Sequence, residues 1–592
     1  MTSAASSFVY KSRLRTEPTA ANLALWQQTF WSRLEALVDE LGSVCIRTYA
    51  LEKVLKVKRD LDSQESFLDE ALTVLDNKPS ALFWTSLTRA LETQTRETAR
   101  NSSFVQSTLS TSYPRLLRLF QEFFSKIAVH TDTVYTLAQQ SPETILTLRA
   151  IQPFEALYLA RSRTRLNDAV QSAFSISSGG GGGLSSSGAQ DAVTPTANEG
   201  LQLARAVVNE LDAARFDPLL ARAVAKNSAR AVEAFVGRAE ALIARDYSAT
   251  SLLGPVATPS QLHNADLTSA LYHLGLPLER ALADHIESVR ELLRPAVERA
   301  RTTYVAIVNP LILAIRREFS ALLARMHRTN YAADAATGEP GRGRQAGVES
   351  GGASAYMTDL TDKLTLVKDE ILGAYRVGEL ARDWALDVAR FIVQTFLLHA
   401  SLLRVGESGR LRVTNDTTTL EFAVTQYLSA HGLALNSMGD QFKAVRAFRP
   451  LLFRDLSALG DPSGASGPSG TNDVPTLILL HHLLARGGLA LPHQLRGWSE
   501  TEYVRWLNEH QEEERIALVE EVVERERGRL EVEREGAGEG TGEGEEGGKD
   551  GSEAKQSEAA DAEVALQLVD KVLARYRRPG GGATAAQHPQ PR

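Results

Sequence analysis

The sequence predicts an all-α protein built from consecutive small helical bundles, and three observations support this prediction. Apolar residues recur at intervals of three and four along most of the chain, which is the period of an amphipathic helix. Alternating runs of Val, Ile and Thr are missing, apart from a short strand-like stretch at Arg410–Asp416. Gly-rich and Ser-rich segments divide the helical stretches into blocks, but the blocks share no fixed length, so a repeat solenoid is not expected.

The first block begins with a long helix whose apolar residues follow the helical period. These residues predict one apolar face, made of Leu23, Trp26, Phe30, Leu34, Leu37 and Leu41. The same helix contains Cys45, the one cysteine of the chain. We expect its thiol to be buried and unreactive, because no cluster of cations nearby would lower its pKa.

Two later features carry structural expectations. Pro295 and Pro310 interrupt a helical stretch, and we expect each to mark a kink or a helix boundary. His481 and His482 are adjacent in an apolar helix, where neighbouring side chains point about 100° apart. We therefore expect one histidine to be buried or to face a partner and the other to face solvent, and the pair not to share a metal.

The breaks in the helical pattern predict ten segments. Helical bundles are expected at 23–174, 201–329, 356–459 and 474–534, and a terminal helix at 563–578. The remaining segments contain few side chains able to form a core, and we expect a disordered N-terminus at 1–22, linkers at 175–200, 330–355 and 460–473, and an acidic disordered tail at 535–562.

Composition and motifs argue against several functions. The net charge of -8 does not favour nucleic-acid binding. No P-loop, metal-binding spacing or nucleophile motif is present, so we expect no catalytic residue, cofactor or metal. The longest apolar stretch, Phe391–Val405, is interrupted by polar residues and too short to cross a bilayer. Membrane association is therefore expected only through partners.

The stretch "RAFRPLLF" at Arg446–Phe453 predicts a structural joint. We expect two helices to meet there, with Arg449 extended and Pro450 in the first turn of the second helix. At least two of the three residues Leu451, Leu452 and Phe453 should be buried. Two alternatives to a joint are that the arginines of this stretch bind a partner protein or that they bind a phosphate. The joint residues are Phe442, Val445, Phe448, Arg449, Pro450, Leu452 and Phe453.

Several segments, taken in order, resemble the later part of the family of conserved oligomeric Golgi complex subunit 5. One of the most specific is "IQPFEALYLARSRTRLNDAV". The resemblance covers about Leu23 to Arg525 in matching order and spacing. The segments that carry it are Leu23–Asp60, Ala81–Gln94, Ser112–Phe124, Ile151–Val170, Ala223–Leu242, His399–Val424, Ala447–Phe453 and Gly497–Leu518.

The resemblance implies an elongated rod of helical bundles, as in subunits of multisubunit tethering complexes. It implies a non-enzymatic, peripheral protein on the cytosolic face of the Golgi membrane that helps to capture vesicles in intra-Golgi retrograde transport. The implied partners are subunits 6, 7 and 8 of the same complex, SNAREs, Rab GTPases and coat proteins. The family carries a long N-terminal assembly region before the equivalent of Leu23, whereas this chain starts at Met1, close to that point.

Two other functions stay open at this stage. The chain has the helical pattern expected of another tethering subunit, such as an exocyst-like scaffold. An α-helical enzyme with scattered His and Glu residues would need several polar groups to converge in a buried pocket.

The joint generates a first prediction. Phe448→Asp should destabilise the block from Phe442 to Leu459 by several kcal/mol, roughly the cost of placing an unpaired charge in an apolar core. Thermal unfolding followed by circular dichroism measures this effect. An unchanged melting temperature would show that the apolar stripe is not buried.

Overall fold

The secondary structure of the described residues is helical. The computed structural model describes residues 18, 21–131, 134, 136, 139–175, 194–332, 353–456, 473–538 and 549–577. Within these residues no strand occurs apart from isolated bridge positions, such as Arg59 opposite Ser66. The all-α prediction is therefore confirmed. The possible strand at Arg410–Asp416 lies within a helix, so that alternative is wrong.

Several predicted loop segments lie wholly or mostly outside the described residues. They are the N-terminus at 1–22 and the linkers at 175–200, 330–355 and 460–473.

The chain forms two compact units. The first comprises Met1–Leu242 and Ser269–Tyr304, and the second comprises Ile243–Thr268 and Val305–Arg592. The helices up to Ala324 are α1 (Leu23–Val57), α2 (Phe67–Leu75), α3 (Pro79–Asn101), α4 (Ser103–Thr111), α5 (Tyr113–Ala128), α6 (Pro142–Ala173), α7 (Ala197–Ala214), α8 (Pro218–Leu242), α9 (Pro259–Ala283) and α10 (Glu287–Ala324). Helices α9 and α10 contribute residues to both units.

Helix α6 lies at the centre of the first unit, where it packs against α3, α7 and α8. Its buried side chains include Phe154, Tyr158 and Leu166, spaced four and eight residues apart on one face. Pro153 lies inside this helix and removes one backbone hydrogen bond. Burial of apolar side chains on both sides of Pro153 offsets that loss.

Helix α1 turns a different face to the bundle from the one predicted. Trp31, Val38 and Cys45 are buried, whereas Trp26 and Leu37 of the predicted face are 42% and 53% exposed. Packing of α1 against α3 and α5 selects the face that carries Trp31. Cys45 is fully buried, and this burial raises the pKa of its thiol to about 12.

Helix α7 begins inside the segment predicted to be a linker at 175–200. The Thr196 side chain caps the helix, and the Glu199 carboxylate accepts a hydrogen bond from the Thr196 backbone N–H at 2.8 Å. The sequence motif of this capping box is Thr-x-x-Glu, which indicates the start of a helix. The linker prediction is therefore wrong from Ala197 onward.

Of the kink or boundary expected at Pro295 and Pro310, the boundary is excluded at both prolines. Helix α10 continues through both prolines from Glu287 to Ala324. Leu293 and Ala296 beside the first proline are buried, as are Val308 and Leu311 beside the second. Burial on both sides of each proline stabilises a continuous helix despite the missing backbone donors.

The second unit contains the later helices and several short turns. Helices α11 (Ala355–Leu366), α12 (Glu379–Ser401), α13 (Glu407–Ala430), α14 (Asp440–Leu451), α15 (Thr476–Arg486), α16 (Pro492–Arg496), α17 (Glu500–Glu509), α18 (Glu512–Gly538) and α19 (Lys549–Tyr576) follow in order. A π-helical turn at Val367–Ile371 extends α11, and 3₁₀ turns occur at Tyr247–Thr250, Arg325–Arg328, Leu372–Ala374 and Leu435–Met438.

Helix α12 is the core helix of the second unit. It packs against α13, α14, α15 and α17, and every residue from Thr395 to Ser401 is buried. Helices covered on all sides are apolar around their whole circumference, which explains the continuous apolar run in this stretch.

The acidic tail predicted as disordered at 535–562 is partly helical. Helix α18 extends to Gly538, and α19 begins at Lys549, before the predicted terminal helix at 563–578. Ala565, Leu568 and Val569 of α19 are buried, and α19 packs against α15. Burial of this stripe stabilises a helix that reaches back into the acidic segment.

Two helical glycines of the first unit give a matched stability prediction. A Cβ on Gly200 would lie 2.1 Å from the Ala270 carbonyl oxygen, whereas a Cβ on Gly237 meets no atom within 4 Å. Gly200→Ala should therefore destabilise the unit by about 1–3 kcal/mol through overpacking. Gly237→Ala should stabilise it by about 0.5–1 kcal/mol, because alanine favours the helix.

Chemical denaturation of the two variants measures the difference. Equal midpoints for Gly200→Ala and Gly237→Ala would contradict the close approach of α7 and α9.

Candidate functional site

The predicted joint lies at the end of helix α14 and in the residues that follow it. Phe442, Val445 and Phe448 are buried, and Phe448 is fully buried. Leu452 is buried, whereas Phe453 is 48% exposed. The apolar stripe thus faces the core of the second unit, and the chain turns outward at Phe453.

The expectation that two helices meet at Pro450 is wrong. Pro450 lies in the last turn of α14, which runs to Leu451. The N–H of Leu452 donates to the Arg449 carbonyl, and the N–H of Phe453 donates to the Pro450 carbonyl. These bonds to the third preceding residue tighten the final turn, and the proline is tolerated because the buried stripe holds the turn in place.

The two arginines of the joint contact groups of the same unit. The Arg449 Nη2 atom lies 2.8 Å from Glu421 Oε2 on α13. The Arg446 guanidinium lies 4.4 Å from the centre of the Phe442 ring, a cation–π contact. The Arg449–Glu421 pair links α14 to α13, whereas the Arg446–Phe442 contact lies within α14. Both contacts fit a structural role of the arginines better than a phosphate site.

The apolar stripe of α14 contacts α15, the helix that carries His481 and His482. The centroids of the Phe448 and His482 rings lie 5.6 Å apart, and the ring planes are inclined by 69° in an edge-to-face contact. Both His481 and His482 are buried, so the expectation that one of them faces solvent is wrong. Helix α15 is buried on all sides from Leu477 to Ala485, which leaves neither histidine a solvent-facing side.

His481 is hydrogen-bonded in the core. Its Nε2 atom lies 2.8 Å from the Tyr503 hydroxyl, and its Nδ1 atom lies 3.4 Å from Ser401 Oγ. Desolvation disfavours the charged imidazolium and lowers the pKa of His481 to about 3. His481 is therefore neutral at physiological pH and joins α12, α15 and α17.

A second histidine pair lies in the same unit. His327 Nε2 and His399 Nδ1 are 2.9 Å apart, so the N–H of one ring donates a hydrogen bond to the other ring. Desolvation and the nearby His327 lower the pKa of His399 to about 3. His493 is also buried, and desolvation lowers its pKa although Glu500, 3.9 Å away, opposes the shift.

The described residues form no metal centre. Among them, no group of three or more His, Cys, Asp and Glu side chains has an arrangement suited to a metal ion. A cleft of about 540 Å³ in the second unit is lined partly by carboxylates, including Glu318, Asp359 and Asp362. Its lining does not include His481 or His482.

The same described residues also lack a membrane span. None of their helices combines the length and the apolar character needed to cross a bilayer.

The hydrogen bonds of the histidines were not predictable from the sequence. Apolar neighbours around His399 and His481 indicate buried positions, but their partners are 72 and 22 residues away in the chain. No local pattern links such distant positions.

The fold belongs to the class of α-helical bundle proteins, and the sequence is similar to known proteins that share one name. The model of the family described as conserved oligomeric Golgi complex subunit 5, C-terminal, matches residues 1–124. The chain is 24% identical over 543 residues to conserved oligomeric Golgi complex subunit 5 of Mus musculus and 27% identical over 508 residues to that of Arabidopsis thaliana.

These matches confirm the resemblance to conserved oligomeric Golgi complex subunit 5. They cover 86% and 82% of this chain, but only 62% and 56% of the mouse and Arabidopsis proteins. A third relative, from Drosophila melanogaster, is 22% identical over 332 residues, or 55% of this chain and 42% of the relative. The chain therefore spans about three fifths or less of the curated relatives.

The buried histidines predict a pH dependence of stability. Because their pKa values in the folded state lie below the unfolded value, the unfolded chain binds more protons on acidification. Stability is full above about pH 6.5 and falls by roughly 1 kcal/mol per pH unit for each buried histidine as the pH drops toward the folded pKa values. These values are about 3 for His399 and His481 and about 4 for His482.

Chemical denaturation between pH 7 and pH 4 measures this slope. His482→Phe removes one buried titrating group and should make the slope shallower than in the native chain. An identical slope in the native chain and His482→Phe would contradict the assignment.

Proposed function

We propose that the chain acts as a counterpart of subunit 5 in a conserved oligomeric Golgi complex. The carrying observation is the similarity to subunit 5 proteins of an animal and a plant over 86% and 82% of this chain. Because the similarity extends over most of the chain and not over one motif alone, it supports an architecture and a function shared with these subunit 5 proteins.

In this proposal the chain works through protein–protein contacts and not through catalysis. Its helical bundles bury apolar stripes to form stable units, and exposed helix faces bind other proteins. The proposed partners are subunits 6, 7 and 8 of the complex, together with SNAREs, Rab GTPases and coat proteins. No cofactor, metal or nucleic acid takes part.

The proposed location is the cytosolic face of the Golgi membrane, where the protein is peripheral and held by its partners. The proposed process is the capture of vesicles in intra-Golgi retrograde transport.

The main alternative is a subunit of another tethering complex, such as an exocyst-like scaffold. Helical bundles alone do not distinguish the two. The matches to subunit 5 proteins favour the Golgi complex. Two of the segments that carry the resemblance, Ile151–Val170 and Gly497–Leu518, lie on helices or at helix starts of the described structure. Localisation at the plasma membrane would favour the alternative.

Co-purification tests the proposal. The tagged chain, purified from its own cells, should bring down further subunits of the Golgi complex, identified by mass spectrometry. The tag alone is the control, and an N-terminally extended form should be tested beside the chain, since the curated relatives are longer. Absence of Golgi-complex subunits from both forms, or recovery of exocyst subunits instead, would overturn the assignment.

A further inference from the structure

Helix α1 carries an apolar row with the spacing of a coiled-coil seam. Between residues 34 and 55 the positions alternate in steps of three and four, and all but one are apolar. They are Leu34, Leu37, Leu41, Val44, Thr48, Leu51 and Leu55, which we call the α1 seam. Steps of three and four average 3.5 residues, the repeat that keeps one helix face against a neighbouring helix over several turns.

The first unit covers only one side of the α1 seam. Leu34, Leu41 and Leu55 are half-buried against the unit itself. Leu37, Val44 and Leu51, which recur every seven residues, are 53%, 41% and 52% exposed. Three large apolar side chains thus form an exposed line about 21 Å long, which is the rise of fourteen helical residues.

Two aromatic side chains before the α1 seam contact another helix of the first unit. The rings of Trp26 and Phe30 lie 5.9 and 6.4 Å from the ring of Phe104 on α4. The exposed line therefore begins after this contact, at Leu37.

The two flanks of the α1 seam differ. On one flank, Val38 and Cys45 are buried in the bundle. The other flank carries Arg33, Glu40 and Arg47, which are exposed and also recur every seven residues. We call this row of alternating charge the α1 charge row.

The α1 charge row has no ion-pair partner among the described residues. Other charges of α1 do have such partners, since Glu35 pairs with Arg115 at 2.9 Å and Asp39 pairs with Lys126 at 2.5 Å. In coiled coils, charges beside the seam pair with opposite charges on the facing helix and select the partner. The α1 charge row is therefore complementary to an acidic, basic, acidic row.

We propose that the α1 seam binds an α-helix of another protein, one with an apolar seven-residue repeat flanked by an acidic, basic, acidic row. The proposal deepens the proposed function and rests on it only in taking the partner to be a protein of the same assembly. A second copy of this chain fits poorly. Antiparallel pairing of two α1 helices centred on Glu40 would place Glu40 against Glu40 and Arg33 against Arg47, which are like charges. A shift by one heptad pairs two of the three charges with opposite charges but leaves the third facing an apolar residue, Trp26 or Val54.

Synthetic helical peptides test the proposal with the full chain. The first peptide has leucines at the seam positions of roughly four heptads and Glu, Lys and Glu at the positions facing Arg33, Glu40 and Arg47. The second peptide has these three charges reversed. Fluorescence anisotropy at low salt should show saturable binding of the first peptide and about tenfold weaker binding of the second.

A charge-swapped chain sharpens the test. The variant Arg33→Glu, Glu40→Arg, Arg47→Glu should reverse the preference, so that the second peptide binds more tightly than the first. The changed side chains are exposed, so the fold should persist, as circular dichroism would show. Equal binding of both peptides by both chains would overturn the charge assignment.

Apolar variants test the α1 seam itself. Leu37→Ser with Leu51→Ser should abolish binding of the first peptide. Leu25→Ser is the matched control, because Leu25 is 65% exposed and lies on the same helix outside the α1 seam. No saturable binding by the native chain, or equal loss in the control, would overturn the proposal.

Two further outcomes separate the possibilities. If light scattering shows a dimer of the native chain that Leu37→Ser with Leu51→Ser converts to a monomer, a second copy occupies the α1 seam and the proposed partner is wrong. If Golgi-complex subunits co-purify while neither peptide binds, the α1 seam proposal fails and the proposed function stands. If the first peptide binds but no Golgi-complex subunits co-purify, the proposed function fails and the α1 seam proposal stands.

Discussion

Burial of the last turns of helix α12 on all sides is the constraint on which the second unit depends. Its residues from Thr395 to Ser401 are all buried, and α13, α14, α15 and α17 cover it. Each large apolar side chain transferred from water to such a core contributes about 1.5–3 kcal/mol. The polar side chains on the same stretch are shielded from water and need partners within the protein. His399 therefore stays neutral and is hydrogen-bonded to His327, and the Ser401 hydroxyl donates to the Leu398 carbonyl.

The same constraint explains the joint at α14 and the paired histidines. Phe448, in the apolar stripe of α14, contacts the His482 ring of α15, so the buried core continues from one helix to the next. Pro450 ends α14 without breaking the packing, because its side of the turn is held by Leu451 and Leu452. The buried side chains of α14 and α15 are shielded from water, and they contribute to the stability of the bundle.

Helix α1 shows the opposite situation. It has apolar residues on two adjoining faces, and the first unit covers only the face with Trp31, Val38 and Cys45. An apolar face left in water costs free energy unless another protein covers it. This unequal coverage connects the fold to the proposed function, because a subunit of an assembly needs both a self-sufficient core and an exposed apolar face for its neighbours.

The sequence by itself determined the helices and much of the partition between helix and loop. The three-and-four spacing specifies a helix whatever surrounds it, as in α1 and α6, and the resemblance to subunit 5 rests on residues that are read directly. Tertiary structure decided which faces are covered. Whether Trp31 or Leu37 enters the core, whether His482 meets solvent, and whether α19 orders part of an acidic segment all depend on helices distant in the chain. Local spacing sets the direction of each side chain relative to its own helix axis, but the rotation of that helix against its neighbours is set by the best burial of all helices together.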